Sequence, residues 1–337
     1  MVELLLELLK IPSPTGMEGA CLRFLEARLN ELGMPVRRQQ VSEGRYNLLA
    51  GALRPTALLC THVDTVEPWF EPDFDGRIVR GRGACDAKGP LAAMMDVLSE
   101  FSREGSDRIG MLILVGEEVD SDGARRAAQT EIVARAVILG EPTGNRLAAA
   151  QKGSLVFRIS TKGQAGHSSG GDLSRSAIHR LLAALARLER SDWGGSSEFG
   201  SNHFHVGRIQ GGTGPNVYAG SAFAEGMVRI ATSVDEIRLK ISELLGDGVQ
   251  LDVLSASDPM RLHTLAGFER TVAPFGSDAP YLQRLGKVYL AGPGSIDFAH
   301  APNERISLAE LQAGRELYRR MVDMILSDEI DLKASRT

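Results

Sequence analysis

Three apolar runs in the first half of this chain each stop on an acidic or imidazole side chain. Ala57-Leu58-Leu59-Cys60-Thr61 ends on His62, and Ala136-Val137-Ile138-Leu139 passes through Gly140 to Glu141. Between them, Met111-Leu112-Ile113-Leu114-Val115 passes through Gly116 to Glu117-Glu118. Runs of this length, bounded by glycine or polar residues, predict strands buried on both faces, as in a parallel sheet. Open α/β sheets gather their ligands at the carboxyl ends of such strands. The repeated ending therefore predicts one site built from several strand ends.

The pattern around these runs predicts helices at 1–10, about 17–32 and near 90–103, the last with Pro90 at its first position. Strands and helices alternate to about residue 150, as expected of a mainly parallel sheet sandwiched by helices. From Lys152 the order changes to strand 154–161, helix 173–189, strands 202–210 and 216–230, a helix from about 234 and strand 249–254. Ser233 and Glu236 form a candidate capping box for that helix. This β-α-β-β-α-β order predicts a ferredoxin-like α+β insertion. The expected organisation is 1–152 and 266–337 as one discontinuous domain, with 153–265 inserted. Strand Lys287–Ala291, the loop Gly292-Pro293-Gly294 and a helix near 308–326, capped by Ser307 and Glu310, complete the first domain. The charged tail after Leu326 is expected to be loose.

At 337 residues, two domains are the natural expectation. A net charge of −5 argues against a nucleic-acid partner, although Arg77, Arg80 and Arg82 form one small candidate basic patch. Cys21, Cys60 and Cys85 are odd in number and contain no Cys-x-x-Cys pair, so a reducing, cytoplasmic setting fits best. The N-terminal run carries two acids and no basic flank, and no run is apolar enough for a membrane span.

Chemistry enters through spacing. His62-Val63-Asp64 offers a metal-type imidazole and a carboxylate to orient it. Asp86 lies in Gly81-Arg82-Gly83-Ala84-Cys85-Asp86-Ala87-Lys88-Gly89-Pro90, which meets neither phosphate-loop pattern and in isolation reads rather as a helix N-cap region. Glu117-Glu118 reads either as a solvated turn or as a metal ligand beside an unligated base that takes a proton from water. Glu141 precedes a Pro142-Thr143-Gly144 turn, and His300 lies in the loop after Gly294. His62, Asp86, Glu118, Glu141 and His300 together form an N/O donor set suited to a pair of Zn²⁺, with Co²⁺ or Mn²⁺ as substitutes. Such a set points to a metal-dependent hydrolase.

In order along the chain stand His62-Val63-Asp64-Thr65-Val66, Gly81-Arg82-Gly83 with Asp86-Ala87-Lys88-Gly89, Glu117-Glu118, Gly140-Glu141-Pro142-Thr143 and Ala299-His300. This series resembles the co-catalytic zinc hydrolases that include acetylornithine deacetylase, succinyl-diaminopimelate desuccinylase and carboxypeptidase G. The resemblance implies a zinc-exopeptidase-like fold whose insertion serves as lid and dimerisation domain. It implies that Asp86 bridges two metals, with His62 and Glu141 on one, and Glu118 and His300 on the other. Glu117 would be the general base, Asp64 the partner of His62, and Asp86–Ala87 a cis peptide. In the insertion, His167 of Gln164-Ala165-Gly166-His167-Ser168-Ser169 would stabilise the oxyanion, while Asn216 and Arg229 would hold the substrate carboxylate. Gly294 is also assigned to the substrate. An ordinary strand ion pair remains the other reading of Arg229. His203 and His205 are expected on a solvated or dimer surface, and His179 and His263 in structural roles.

Gly140-Glu141-Pro142-Thr143-Gly144 and Gln151-Lys152-Gly153-Ser154-Leu155 resemble most the lysine and arginine biosynthetic branch of that family. The resemblance thus implies a small N-acylated basic amino acid as substrate, either free or linked to an acidic amino-group carrier protein, and a homodimer. Its alternatives are a dipeptidase or aminopeptidase, a desuccinylase, or a non-catalytic scaffold. The last is disfavoured because the base and all five ligand positions are present.

Overall fold

We describe residues 1–327 from a computed structural model, so the charged tail lies almost wholly outside the described residues. The three apolar runs form strands Ala57–His62, Ile109–Leu114 and Ala136–Gly140, with every residue buried. Alternate strand side chains point to opposite faces, so complete burial means that both faces are covered. The Ala57–His62 strand lies between the other two, parallel to both, and Lys287–Ala291 joins parallel to Ala136–Gly140. Antiparallel strands flank this parallel centre. Arg45–Ala50 and then Val36–Ser42 extend one side, and Leu147–Gln151 adds to Lys287–Ala291 on the other.

Register levels the strand ends. His62 pairs with Leu114, while Cys60 pairs with Leu139, so Glu141 emerges at about the height of His62. Helices Val2–Leu9, Gly19–Glu31, Lys88–Arg103 and Leu308–Leu326 add Leu5, Leu22, Leu91, Met94, Leu311 and Tyr318 to one buried core. Burying each large apolar side chain stabilises the fold by roughly 1.5–3 kcal/mol. Pro90 is the third residue of its helix, not the first, because the N–H groups of Lys88 and Gly89 already bond to the Gly83 carbonyl. First-turn N–H groups have no intrahelical acceptor, so proline is equally tolerated there.

The chain divides into two compact units. One comprises Met1–Ala149, Leu262–Thr271 and the segment from Ser277 onward; the other comprises Ala150–Arg261 and Val272–Gly276. The division falls a few residues before each expected boundary. Val272–Gly276 returns to the second unit, where Lys152 N–H bonds to the Ala273 carbonyl.

The second unit holds an antiparallel sheet in the order His203–Gly211, Ser221–Ile230, Gly153–Lys162, Val249–Ser257. Helices Ala177–Arg190 and Val234–Leu245 bury Leu181, Leu188, Ile237 and Ile241 with Phe157 and Ile159 of that sheet. Order and connection are those of the ferredoxin-like unit. The expected strand 216–230 is broken after Val217–Tyr218, because Ala219 and Gly220 turn their carbonyls to Ala177 N–H and Gly163 N–H. The helix expected at 173–189 opens as a 3₁₀ turn, Leu173–Arg175, before its α-helical part. No helix among the described residues is long and apolar enough to cross a membrane.

Candidate metal centre

His62 closes its strand with both ring nitrogens engaged. Nδ1 lies 3.0 Å from the Asp64 carbonyl oxygen and 3.4 Å from Asp64 Oδ1, while Nε2 lies 3.2 Å from Asp86 Oδ1. A proton on Nδ1 leaves an Nε2 lone pair facing a carboxylate oxygen, an arrangement that attracts only with a proton or cation between them. On the other side of Asp86, His300 Nε2 lies 3.4 Å from Oδ2 and 2.9 Å from Glu118 Oε2.

Two donor triads result, sharing Asp86. His62, Asp86 and Glu141 are all buried; Glu118 is less so and His300 is exposed. Within each triad the donor atoms lie within 4.8 Å of one another.

The electrostatics fit cations. Burial, aided by neighbouring carboxylates, pushes Glu117 and Glu141 well above the usual carboxylate range against the pull of His62. Burial and Asp86 also raise Glu118. Asp86 runs the other way: burial would raise it, but bonds from His300 and His62 hold it low. Those bonds from Asp86 and Glu118 lift His300 to about 10. One oxygen of Glu141, Oε1, is buried with no hydrogen-bond partner. A buried carboxylate oxygen in that position needs a proton or a cation. The residues present therefore fit a divalent ion in each triad.

The loop carrying Glu117 and Glu118 is held from below. The Asp64 carboxylate accepts their two N–H groups, each at 3.2 Å, and the Thr15 hydroxyl at 2.7 Å. Asp64 is thus more than a partner for His62, since it also sets the turn that presents the acids. Asn47 binds the same loop at both ends, accepting Val115 N–H and donating to the Gly123 carbonyl. Gly116 starts the turn at φ 78°, where a Cβ would run into Asp122. The Thr61 hydroxyl donates to the Gly140 carbonyl at 2.8 Å, tying the strands that carry His62 and Glu141. A cis peptide joins Asp86 to Ala87.

Gly294 has a packing reason of its own. At φ 91° it lies against Cys85, where a Cβ would sit 2.6 Å from that residue's Cβ, and its carbonyl accepts Gly144 N–H. The basic patch expected of Arg77, Arg80 and Arg82 does not form. Arg80 pairs with Asp73 and Asp75, and Arg82 is buried against Glu304, because a guanidinium so close to carboxylates is neutralised locally.

Sequence reasoning missed Thr15, Asn47, Thr61 and Glu304, and also Asp278, a carboxyl that burial raises to about 7 and whose charge adds to Glu117 and Glu141. A strand-end threonine gives no signal in a single sequence. The Asn303-Glu304 pair after His300 carried the only hint.

Of the residues assigned to the insertion, His167 and Asn216 are neighbours within the second unit. His167 pairs with Val217, and the Asn216 carbonyl accepts Ser168 N–H. The His167 ring is exposed, with Nδ1 3.0 Å from Ser169 Oγ. Arg229 lies near the end of strand Ser221–Ile230. His203 and His205 are exposed on strand His203–Gly211, and His263 tilts onto Tyr289 with ring centres 5.8 Å apart.

A mixed sheet with an imidazole and acids at or just past its parallel strand ends, met by a second imidazole from a loop, defines a metallohydrolase class of architecture. Residues 58–324 match the peptidase family M20/M25/M40, and the chain belongs to that family. It is 35% identical over 336 residues to a peptidase M20 domain-containing protein of Schizosaccharomyces pombe, covering 96% of this chain and 84% of that one. It is 32% identical over 366 residues to a protein of Aspergillus terreus named "Probable carboxypeptidase", covering 94% and 84%. Among solved structures, a tripeptidase from Staphylococcus aureus superposes with a TM-score of 0.80 at 19% identity, covering 97% of this chain and 98% of that one. The chain is a metallopeptidase-family hydrolase.

Proposed function

We propose that this chain hydrolyses the amide bond preceding a free carboxylate in a small substrate, as a carboxypeptidase does. The observation that carries the hydrolytic part of this reading is the pair of donor triads meeting at Asp86, with Glu117 outside both and interacting with His62, Glu118 and Glu141. The carboxypeptidase part is supported by the name of the Aspergillus terreus relative. His62, Asp86 and Glu141 would hold one divalent ion, and Asp86, Glu118 and His300 the other. When bound, such ions supply positive charge that polarises a carbonyl and makes a water acidic, toward a pKa of ~7 from ~15.7. Glu117, held at its N–H by Asp64, takes the proton of the attacking water and returns it to the leaving amine. The family resemblance alone gives His167 the oxyanion and Asn216 and Arg229 the substrate carboxylate.

A narrower reading is favoured by the Gly140–Gly144 and Gln151–Leu155 segments: removal of an acyl group, free or carrier-linked, from a basic amino acid. The names of the relatives support the peptidase reading instead. Amine release from unmodified di- and tripeptides, N-acetylornithine, N-acetyllysine and N-acetylcitrulline separates the two, with Glu117→Gln as the blank. We expect cleavage of the peptides. Turnover confined to one acetylated amino acid would replace the peptidase reading with the deacylase, and turnover undiminished in Glu117→Gln would remove Glu117 from its role.

A further inference from the structure

Asp86 serves both triads, yet its main chain lies in the turn between strand Ile78–Arg80 and helix Lys88–Arg103, outside the sheet that carries the other buried ligands. A single side chain grips that turn. Glu304 Oε1 accepts the N–H groups of Cys85 and Asp86, each at 3.1 Å, while Oε2 accepts Arg82 Nη1 at 2.7 Å. Glu304 and Arg82 are both buried, although Arg82 and Glu304 stand 222 positions apart. Arg82 is fixed in turn by Nε donation to the Pro68 carbonyl and by its place over the Phe70 ring.

The same residue ends the segment that carries His300. Glu304 N–H bonds to the Ala301 carbonyl, closing a short turn after the histidine, and the Glu304 carbonyl accepts Gly81 N–H. Strand Arg305–Ser307 then pairs with Ile78–Arg80, which leads directly into Gly81-Arg82. One carboxylate thus joins the turn of the shared ligand to the loop of a second ligand, and His300 sits there at a left-handed φ of 61°. A buried ion pair is weak evidence for stability as such, since packed apolar groups often serve as well. What an apolar pair cannot replace is the acceptor for two adjacent N–H groups.

We propose that Glu304, held by Arg82, is a positioning residue that fixes the Asp86 carboxylate and the His300 imidazole relative to each other, so that both triads bind cations tightly. This rests on the reading of the triads as a two-ion centre. The test is a Co²⁺ titration of the metal-free full chain, followed by visible absorption, with the metal alone and no substrate. The wild-type chain is expected to take up two Co²⁺; fewer would sink the two-ion reading itself, whatever the variants do.

Arg82→Met with Glu304→Leu removes both charges at similar volume and leaves the two N–H groups without an acceptor. Its Co²⁺ affinity is expected to fall on the order of 10–100-fold, with altered band intensities. Arg82→Gln with Glu304→Gln restores a neutral acceptor and donor, and should return affinity to within about threefold of wild type. Wild-type affinity and spectrum in the Met/Leu variant, whatever its melting temperature, would overturn the proposal. Should that variant not fold, Glu304→Gln alone decides. Its amide cannot satisfy Arg82 and the two N–H groups together, so unchanged Co²⁺ binding there would overturn the proposal equally.

Discussion

The two donor triads share a residue but are built by opposite means. His62 and Glu141 stand at level strand ends, braced by the Thr61 bond to Gly140 and buried throughout. Glu118 and His300 come from loops, one held by Asp64 and Asn47, the other by Glu304, and the His300 side chain is 49% exposed. A site set by sheet register inherits the rigidity of the core, whereas one set by loops depends on specific hydrogen bonds. The buried triad should therefore govern stability and the open one should govern exchange with solvent.

The largest effect tests what the triads share. Glu117→Gln is expected to lower turnover by roughly 10²–10⁴-fold while both ions remain, checked by peptide hydrolysis alongside metal content. Next, the triads should part company in metal-free protein. His62→Ala removes the partner of buried carboxylates and should cost about 3–5 kcal/mol in urea unfolding. His300→Ala, on an exposed side chain, should cost about 1 kcal/mol or less. Equal costs would erase the distinction between a core-built and a loop-built triad.

A smaller effect sharpens the origin of the buried triad. Thr61→Val removes one buried hydroxyl bond and should destabilise by about 1 kcal/mol, read from the same unfolding curves. The smallest effect is a pH slope. His300 is raised from 6.5 to about 10 in the folded chain, so its contribution is fully present below pH 6.5 and is lost as pH rises through about 10. Metal-free His300→Asn should lack that decline. If the decline persists in this variant, another group owns it.

Much of this was legible in the sequence. Apolar runs long enough for strands, ending on ligand-type residues, pointed to the parallel centre and three of the ligand segments, because burial and strand-end placement are local signals. The ferredoxin-like order of the insertion was legible for the same reason. Braces were not. Arg82 read as part of a basic patch because its partner, Glu304, is remote in sequence, and no periodicity marks such a pair. Asp278 and Thr61 likewise draw their meaning from what lies across the sheet or across a loop. The broken strand at Ala219-Gly220 escaped notice because the carbonyls that break it are claimed by residues far earlier in the chain.

The order in which the donors occur has a consequence for biosynthesis. His62, Asp86, Glu118 and Glu141 all leave the ribosome before the inserted unit is made, whereas His300 and Glu304 follow it. A nascent or prematurely ended chain lacking them holds every donor of the buried triad, but neither the imidazole of the open one nor the carboxylate that grips Asp86. The complete constellation belongs only to chains translated past Glu304.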